Sequence, residues 1–390
     1  MILIFKIPIT MKRRFIRIQS ILLLGLLSLT LFSCKDRKKG KDDIQRIVVA
    51  CNFPESGPLK FYGEYVRNGI NMAMDELKDS LAAAKMDIFY DFQDNESSSN
   101  GAITVFNGQK AKGFDIYFSG VTNQTVAILE PVKSTGKPHF IISFDPFNIE
   151  KGDNLYRPYL DMDKEGKCMN EYVAQKAPKT IGFLYQNITS TQAQVRQNLK
   201  PFAEANNIKV VLDECYDVSV SDFKNIVLKV KKANPDILIM YGFQDQLAEI
   251  IKGFNVNGIK KDGNLVCSFD FLDVQTVLDS SLLDGIVTNV PQYVVDNADR
   301  INAWKNAFKQ RYGREPLFTE AYAYDMAYTI YYATKMQKGN PALSFDECLM
   351  AVDFDGMTGR VKYLENGQQE YSVQPTIFRN NAFVFLPEGE

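Results

Sequence analysis

The chain has 390 residues and a formal net charge of −2, with 45% hydrophobic and 24% charged residues, the balance of an ordinary globular protein. That length predicts two to three domains. No long basic block occurs beyond the N-terminus, so the electrostatic footprint of nucleic-acid binding is missing, and a single histidine, His139, excludes a Ser-His-Asp triad or HExxH site built on any other position.

The first segment reads as an export signal. Lys12, Arg13, Arg14 and Arg17 form a basic region, and Ile21 to Phe32 an apolar stretch too short to favour a spanning helix. It ends Leu31-Phe32-Ser33-Cys34, which resembles a bacterial lipobox, with Cys34 as the acylated residue. An ordinary signal peptide that happens to contain Cys, or an N-terminal membrane anchor, are the alternatives. Met11 is an alternative start. We expect a signal peptide over 1–33 and a charged, extended tether over 34–43.

Beyond the tether, apolar runs alternate with helix-period segments. "RIVVACNF", "DIFYDF", "DIYFSG" and "HFIISF" form one group of strands; "TIGFLYQN", "KVVLDE", "DILIMYG" and "LVCSFD" form a second. Their lack of polar alternation predicts strands buried on both faces of a parallel sheet. Between them, Val195, Leu199 and Phe202 share a helical face, as do Phe223, Ile226, Val227 and Val230, with Ser221 as N-cap. Leu247, Ile250, Ile251 and Phe254 form another. The alternation predicts an α/β protein of two doubly wound, Rossmann-like lobes. Past residue 290, "ADRINAWKNAFKQRYG" and "TEAYAYDMAYTIYYATKMQ" read as helices, and "GMTGRVKYLENGQQEYSVQPTIFRNNAFVFL" as a hairpin turning at Asn366-Gly367.

Chemistry is sparse. The expectation for His139 is a core or strand-edge residue, since a general base needs a nucleophile in reach. No GxGxxG follows the first strand, no GxxxxGK[ST] occurs, and no glycosidase-like carboxylate pair stands out. Cys51, Cys168, Cys215, Cys267 and Cys348 form no CxxC pair. They read as buried free thiols, with one disulfide left open in an exported protein. Neither a metal site nor a cofactor is expected.

Three blocks together resemble the leucine/isoleucine/valine-binding family of type I periplasmic binding proteins. "FPESGPLKFYGEYVRNGINMAMDEL" is similar to the family's opening, "EAYAYDMAYTIYYA" to its long helix with Ala-Tyr-Asp, and "FDGMTGRVKYLENGQQ" to its Thr-Gly segment. The resemblance implies two lobes joined by crossover strands, 44–158 plus 292–358 and 159–291 plus 359–386, closing on a ligand by a hinge.

It also implies a site. Ser56 offers a hydroxyl, and Tyr62 covers the ligand's apolar part or staples the following helix. Asn123, Gln124 and Thr125 replace the family's hydroxyl-rich anion grip at a helix start, with Asn123 also readable as the cap. Ser143 and Asp145 follow the fourth strand, Asn187 and Thr189 the first strand of the second lobe. Gln244 follows "YGF", and Asp270 lies near the amine-binding carboxylate of amino-acid-binding relatives. Each of these polar residues also reads as a solvated strand-end turn.

The implied function is a lipid-anchored, extracytoplasmic solute-binding protein. It captures a small polar, amino acid-like molecule and delivers it to an ABC importer permease, without catalysis or nucleic acid. The alternatives are a ligand-sensing receptor module of the same fold and a cell-envelope enzyme.

Overall fold

The computed structural model describes residues 44–144, 149–291, 299–370 and 373–386. Signal peptide, tether and Cys34 lie outside the described residues, as does Asp145.

The first sheet has five strands in the order β2-β1-β3-β4-β5: β1 (Gln45–Phe53), β2 (Met86–Asp94), β3 (Ile116–Gly120), β4 (His139–Ile142) and β5 (Leu155–Tyr156). β1 pairs parallel with β3, β3 with β4, and β4 with β5. The second sheet has the order β14-β13-β10-β9-β8-β6-β7. Its parallel part is β6 (Thr180–Gln186), β7 (Lys209–Tyr216), β8 (Ile237–Met240), β9 (Leu265–Cys267) and β10 (Val287–Pro291). β13 (Val373–Arg379) adds antiparallel to β10, and β14 (Ala382–Phe385) to β13. Every residue of β3, β4, β8 and β9 is buried, as expected of strands covered by helices on both faces.

Small residues fix how the helices sit. In the helix Lys60–Ala83, Val66, Ile70, Ala73, Leu77 and Leu81 face the core at helical spacing. Gly69 lets it lie against the helix Phe318–Gly339: a Cβ there would come within 2.2 Å of the Glu320 carbonyl oxygen. Beside that contact the buried Glu320 carboxylate accepts two bonds from Arg314, at 2.9 and 2.6 Å, and one from the Leu317 amide at 2.8 Å. Further along the same helix, buried Asp325 accepts from the Met357 and Thr358 amides and from the Thr358 hydroxyl, each at 2.6 Å. Gly69 in the opening block and Asp325 in the Ala-Tyr-Asp stretch are therefore a packing and a turn-holding device.

Three local expectations change. The helix Lys224–Ala233 is not capped by Ser221; Asp222 accepts the Lys224 amide instead, at 3.0 Å. The C-terminal segment is not one hairpin about Asn366-Gly367. β12 (Gly359–Lys362) pairs back onto β11 (Asp353–Gly356), while Gly367 packs against the Leu155 carbonyl oxygen, 2.1 Å from where a Cβ would stand. The tight turn is at Asn380 and Asn381, whose φ values of 50° and 65° match the type I′ loop between β13 and β14. Finally, the β11–β12 ribbon straddles the expected lobe boundary at 358, because Asp325 grips its turn.

Two crossing segments run side by side. Arg157 donates its amide to the Gly367 carbonyl at 2.9 Å, and Gln369 donates to the Arg157 carbonyl at 3.1 Å. The Gln368 side chain bonds the Arg157 guanidinium and donates to the Tyr159 carbonyl at 3.1 Å.

Candidate functional site

Both parallel sheets turn the C-terminal ends of their strands toward one cavity of about 320 Å³. That edge is where open α/β sheets place ligands, because helix starts and loop side chains converge there.

The first wall is the stretch after β1. Asp94, at the end of β2, accepts the amides of Glu55 at 2.8 Å and Ser56 at 3.1 Å. Ser97 donates to the Ser56 carbonyl at 2.7 Å and accepts the Leu59 amide at 3.1 Å. Gly63 then lets the helix start on the Pro54 carbonyl oxygen, only 2.0 Å from where its Cβ would be. This seating brings Pro58, Leu59 and Tyr62 onto the cavity. Ser56 stays outside it, exposed; the hydroxyl on this wall is Ser97's.

After β3 the chain passes through Val121, a β-branched residue at φ 65°, into the helix Thr122–Lys133, which has no side-chain cap. Thr122, Asn123 and Gln124 line the cavity. Asn123 is not the cap; its Oδ1 lies 3.5 Å from the Thr189 hydroxyl on the opposite rim. Thr125 is not on the cavity: it is buried, with its hydroxyl 3.1 Å from Ser119. Ile142 at the end of β4 and Ser143 and Phe144 after it complete this side, with the Ser143 hydroxyl 3.3 Å from Thr122's.

From the second sheet come Gln186, the last residue of β6, and Ile188, Ser190 and Thr191 after it. Asn187 does not line the cavity, because the extended backbone through Ile188 sends alternate side chains to opposite sides; Asn187 bonds Gln192 instead. Thr189 is a rim residue. Gln244 lies behind the wall, donating at 2.8 Å to both the Asp273 carbonyl and the Thr276 hydroxyl. Asp270, after β9, does face the cavity.

Among the described residues that line the cavity, Asp270 is the sole carboxylate, and none is a lysine, arginine or histidine. Its bond is to the Ser268 hydroxyl, at 3.2 Å. Burial pushes its carboxyl up to about 7. Burial, followed by the charges of Asp270 and Asp273, pushes the Tyr62 hydroxyl well above its usual value. Behind the wall, buried Glu165 accepts from the Phe269 amide at 3.0 Å, the Tyr241 hydroxyl at 3.0 Å and the Gln194 side chain at 3.4 Å. Burial lifts its carboxyl to about 8.

Sequence reasoning missed most of the apolar wall: Phe144, Tyr159, Tyr241, Phe243 and Phe269. The signal was present as an aromatic within a few residues of each strand end, but it reads equally as core.

His139 does have a nucleophile type in reach, the Ser119 hydroxyl at 2.8 Å. Both are buried, and the other His139 ring nitrogen lacks a hydrogen-bond partner, so no third group orients the ring for catalysis. Burial pulls the imidazole down to about 3, so it is neutral. The five described cysteines are free thiols; four are buried and Cys215 is exposed, against the expectation of burial. Among the described residues no group of His, Cys, Asp and Glu could hold a metal, and no helix is long and apolar enough to cross a membrane.

A family model described as periplasmic binding protein matches residues 46–376. The chain belongs to the periplasmic binding protein family. Among its relatives, the Leu/Ile/Val-binding protein homolog 7 of Brucella melitensis is 23% identical over 343 residues, spanning 82% of this chain and 85% of that one. Two solved structures share the fold of this periplasmic binding protein. One is an ABC transporter solute-binding protein of R. palustris in complex with benzoate, with a TM-score of 0.76 at 17% identity over 87% of this chain and 95% of that one. The other is LivJ, the branched-chain amino acid transporter substrate-binding protein of Streptococcus pneumoniae, in complex with isoleucine; its TM-score is 0.71 at 20% identity, over 87% of this chain and 98% of that one. This periplasmic binding protein is therefore a type I member of the leucine/isoleucine/valine-binding group, an extracytoplasmic solute-binding protein for a small ligand and not an enzyme.

Proposed function

We propose that this protein captures an amino acid-like molecule with a protonated amine and delivers it to an ABC importer permease while anchored to the membrane through lipid on Cys34. The observation that carries the ligand reading is Asp270. Its carboxylate faces a cavity that no basic side chain among the described residues lines, so its charge is compensated by what enters. The uncapped start of the helix Thr122–Lys133 offers amides to the carboxylate of such a ligand. The isoleucine complex of LivJ supports the ligand class, and the lipobox-like Leu31-Phe32-Ser33-Cys34 supports the anchor.

The lobes are proposed as 44–158 plus 292–362 and 159–291 plus 363–386, the expected boundary at 358 being moved so that the β11–β12 ribbon stays whole with the first lobe, on which Asp325 holds it. Closure brings Asn123 of one rim to Thr189 of the other, and differential affinity for the closed state drives it.

A thermal-shift screen of the full chain against amino acids, polyamines, aromatic and aliphatic carboxylates and sugars tests the reading. Stabilisation that grows with concentration for an amine-bearing ligand is the expected result. Stabilisation by sugars or carboxylates alone would overturn it.

A further inference from the structure

The apolar part of the cavity wall is largely aromatic. Among the described residues six aromatic side chains line the cavity: Tyr62, Phe144 and Tyr159, and from the second sheet Tyr241, Phe243 and Phe269. They meet across the space in edge-on pairs. Phe144 and Phe269 have centroids 4.8 Å apart, Tyr159 and Phe269 6.2 Å, and Tyr62 and Phe243 6.0 Å. Phe269 is central to this array and immediately precedes Asp270, so ring and carboxylate are offered together.

We infer that the ligand selected by this cavity carries an aromatic ring together with a protonated alkyl amine: an arylalkylamine or an aromatic amino acid, in preference to an aliphatic one. The inference rests on the reading of this cavity as the site of an amine-bearing ligand and narrows it. Three arguments converge. A volume of about 320 Å³ lies at the small end of ligand cavities, about 300–1,000 Å³, and gives room for a ring with a short polar chain. Edge-to-face contacts with a ligand ring favour an aromatic over an equally apolar aliphatic group by about two- to tenfold for each ring pair. Phe269 and Asp270 line the same cavity, and ring faces attract cations.

The rings are held, not merely present. Glu165, buried behind them, accepts the Phe269 amide and the Tyr241 hydroxyl, each at 3.0 Å. One carboxylate thus positions two of the six rings from outside the cavity.

The test is calorimetric titration of the full chain with four probes: phenylethylamine, phenylalanine, isoleucine and benzoate. Phenylalanine binding at least tenfold tighter than isoleucine, with phenylethylamine binding and benzoate not, is the expected result. Isoleucine binding as tightly as phenylalanine would overturn the inference while leaving the amine-ligand function standing. Benzoate binding alone, or none of the four binding, would overturn both. Phe243→Leu, at the half-exposed rim, keeps an apolar side chain without a ring and should lower the phenylalanine-to-isoleucine ratio about two- to tenfold. Asp270→Asn should abolish phenylethylamine binding at pH 8 without lowering the apo melt; a variant that still binds the amine at wild-type affinity would overturn the inference.

Discussion

Tyr62 and Phe243 meet edge-on with ring centroids 6.0 Å apart, although Tyr62 opens the first helix of one sheet and Phe243 follows a strand of the other. They close the cavity from opposite rims. Replacing Tyr62 by Ala removes an apolar wall, and burying a full side chain is worth about 1.5–3 kcal/mol. We expect ligand affinity to fall about tenfold to a hundredfold, with the apo melting temperature nearly unchanged. If Tyr62 only staples its helix, the apo melt falls and affinity holds. Because the rings touch, Tyr62→Ala and Phe243→Ala should be non-additive in a double-mutant cycle.

Asp270 makes the protein sensitive to pH. Its carboxyl is raised to about 7 in the folded state against about 3.9 in an unfolded chain. The folded protein therefore retains a proton that the unfolded chain releases. The stability linked to this group is complete below about pH 4 and declines as pH rises to about 7. Glu165, raised to about 8, extends the decline. Apo melting temperatures measured from pH 5 to pH 8 should fall. Affinity for an amine should move the other way, about ninefold tighter at pH 8 than at pH 6, as the ionised fraction of Asp270 grows from about a tenth to about nine tenths. In Asp270→Asn both trends should flatten.

Two glycines of similar helical setting should respond with opposite sign. A Cβ on Gly69 would press on the Glu320 carbonyl oxygen at 2.2 Å, and backbone cannot yield as a flexible side chain can. Gly69→Ala should destabilise by about 1–3 kcal/mol. Gly108 lies in the helix Ser99–Lys112 with nothing near its missing Cβ. Gly108→Ala should stabilise by about 0.5–1 kcal/mol. Urea titrations of both variants check the contrast.

Asp325 gathers three donors at 2.6 Å on a buried carboxylate. Asp325→Asn replaces one acceptor with a donor facing other donors, leaving buried groups unpaired at about 1–3 kcal/mol. Thr358→Val removes one of the three and should cost less. Chemical denaturation ranks them.

Cys34→Ser should release the protein from membranes and end incorporation of labelled fatty acid, since several acyl chains anchor firmly where one binds marginally. Equal labelling of the variant would remove the lipoprotein reading.

The strands were legible because burial on both faces leaves unbroken Val, Ile, Phe and Tyr, as in "DILIM" and "LVCSF". The long helices were legible from their spacing. Local sequence also determined that Tyr62, Asn123, Gln124, Ser143 and Asp270 follow strand ends, and strand ends of both sheets converge on the cavity. Which neighbour at each end points inward was not legible. Asn187 and Gln186 differ by one position, and alternation turns that difference into opposite faces of the chain. Ser56 and Ser97 are 41 residues apart, and only the grip of Asp94 on the first loop decides which hydroxyl meets the cavity. The turn was misplaced for a similar reason. Asn366-Gly367 has the stronger local signal, but contact with Leu155 directs it into a crossing, whereas Asn380 and Asn381 take left-handed backbone between paired strands. What the sequence determined is what nearest neighbours and periodicity carry. The aromatic wall, the charge state of Asp270 and the contact of Tyr62 with Phe243 depend on two sheets meeting, because burial and apposition are properties of the assembled chain.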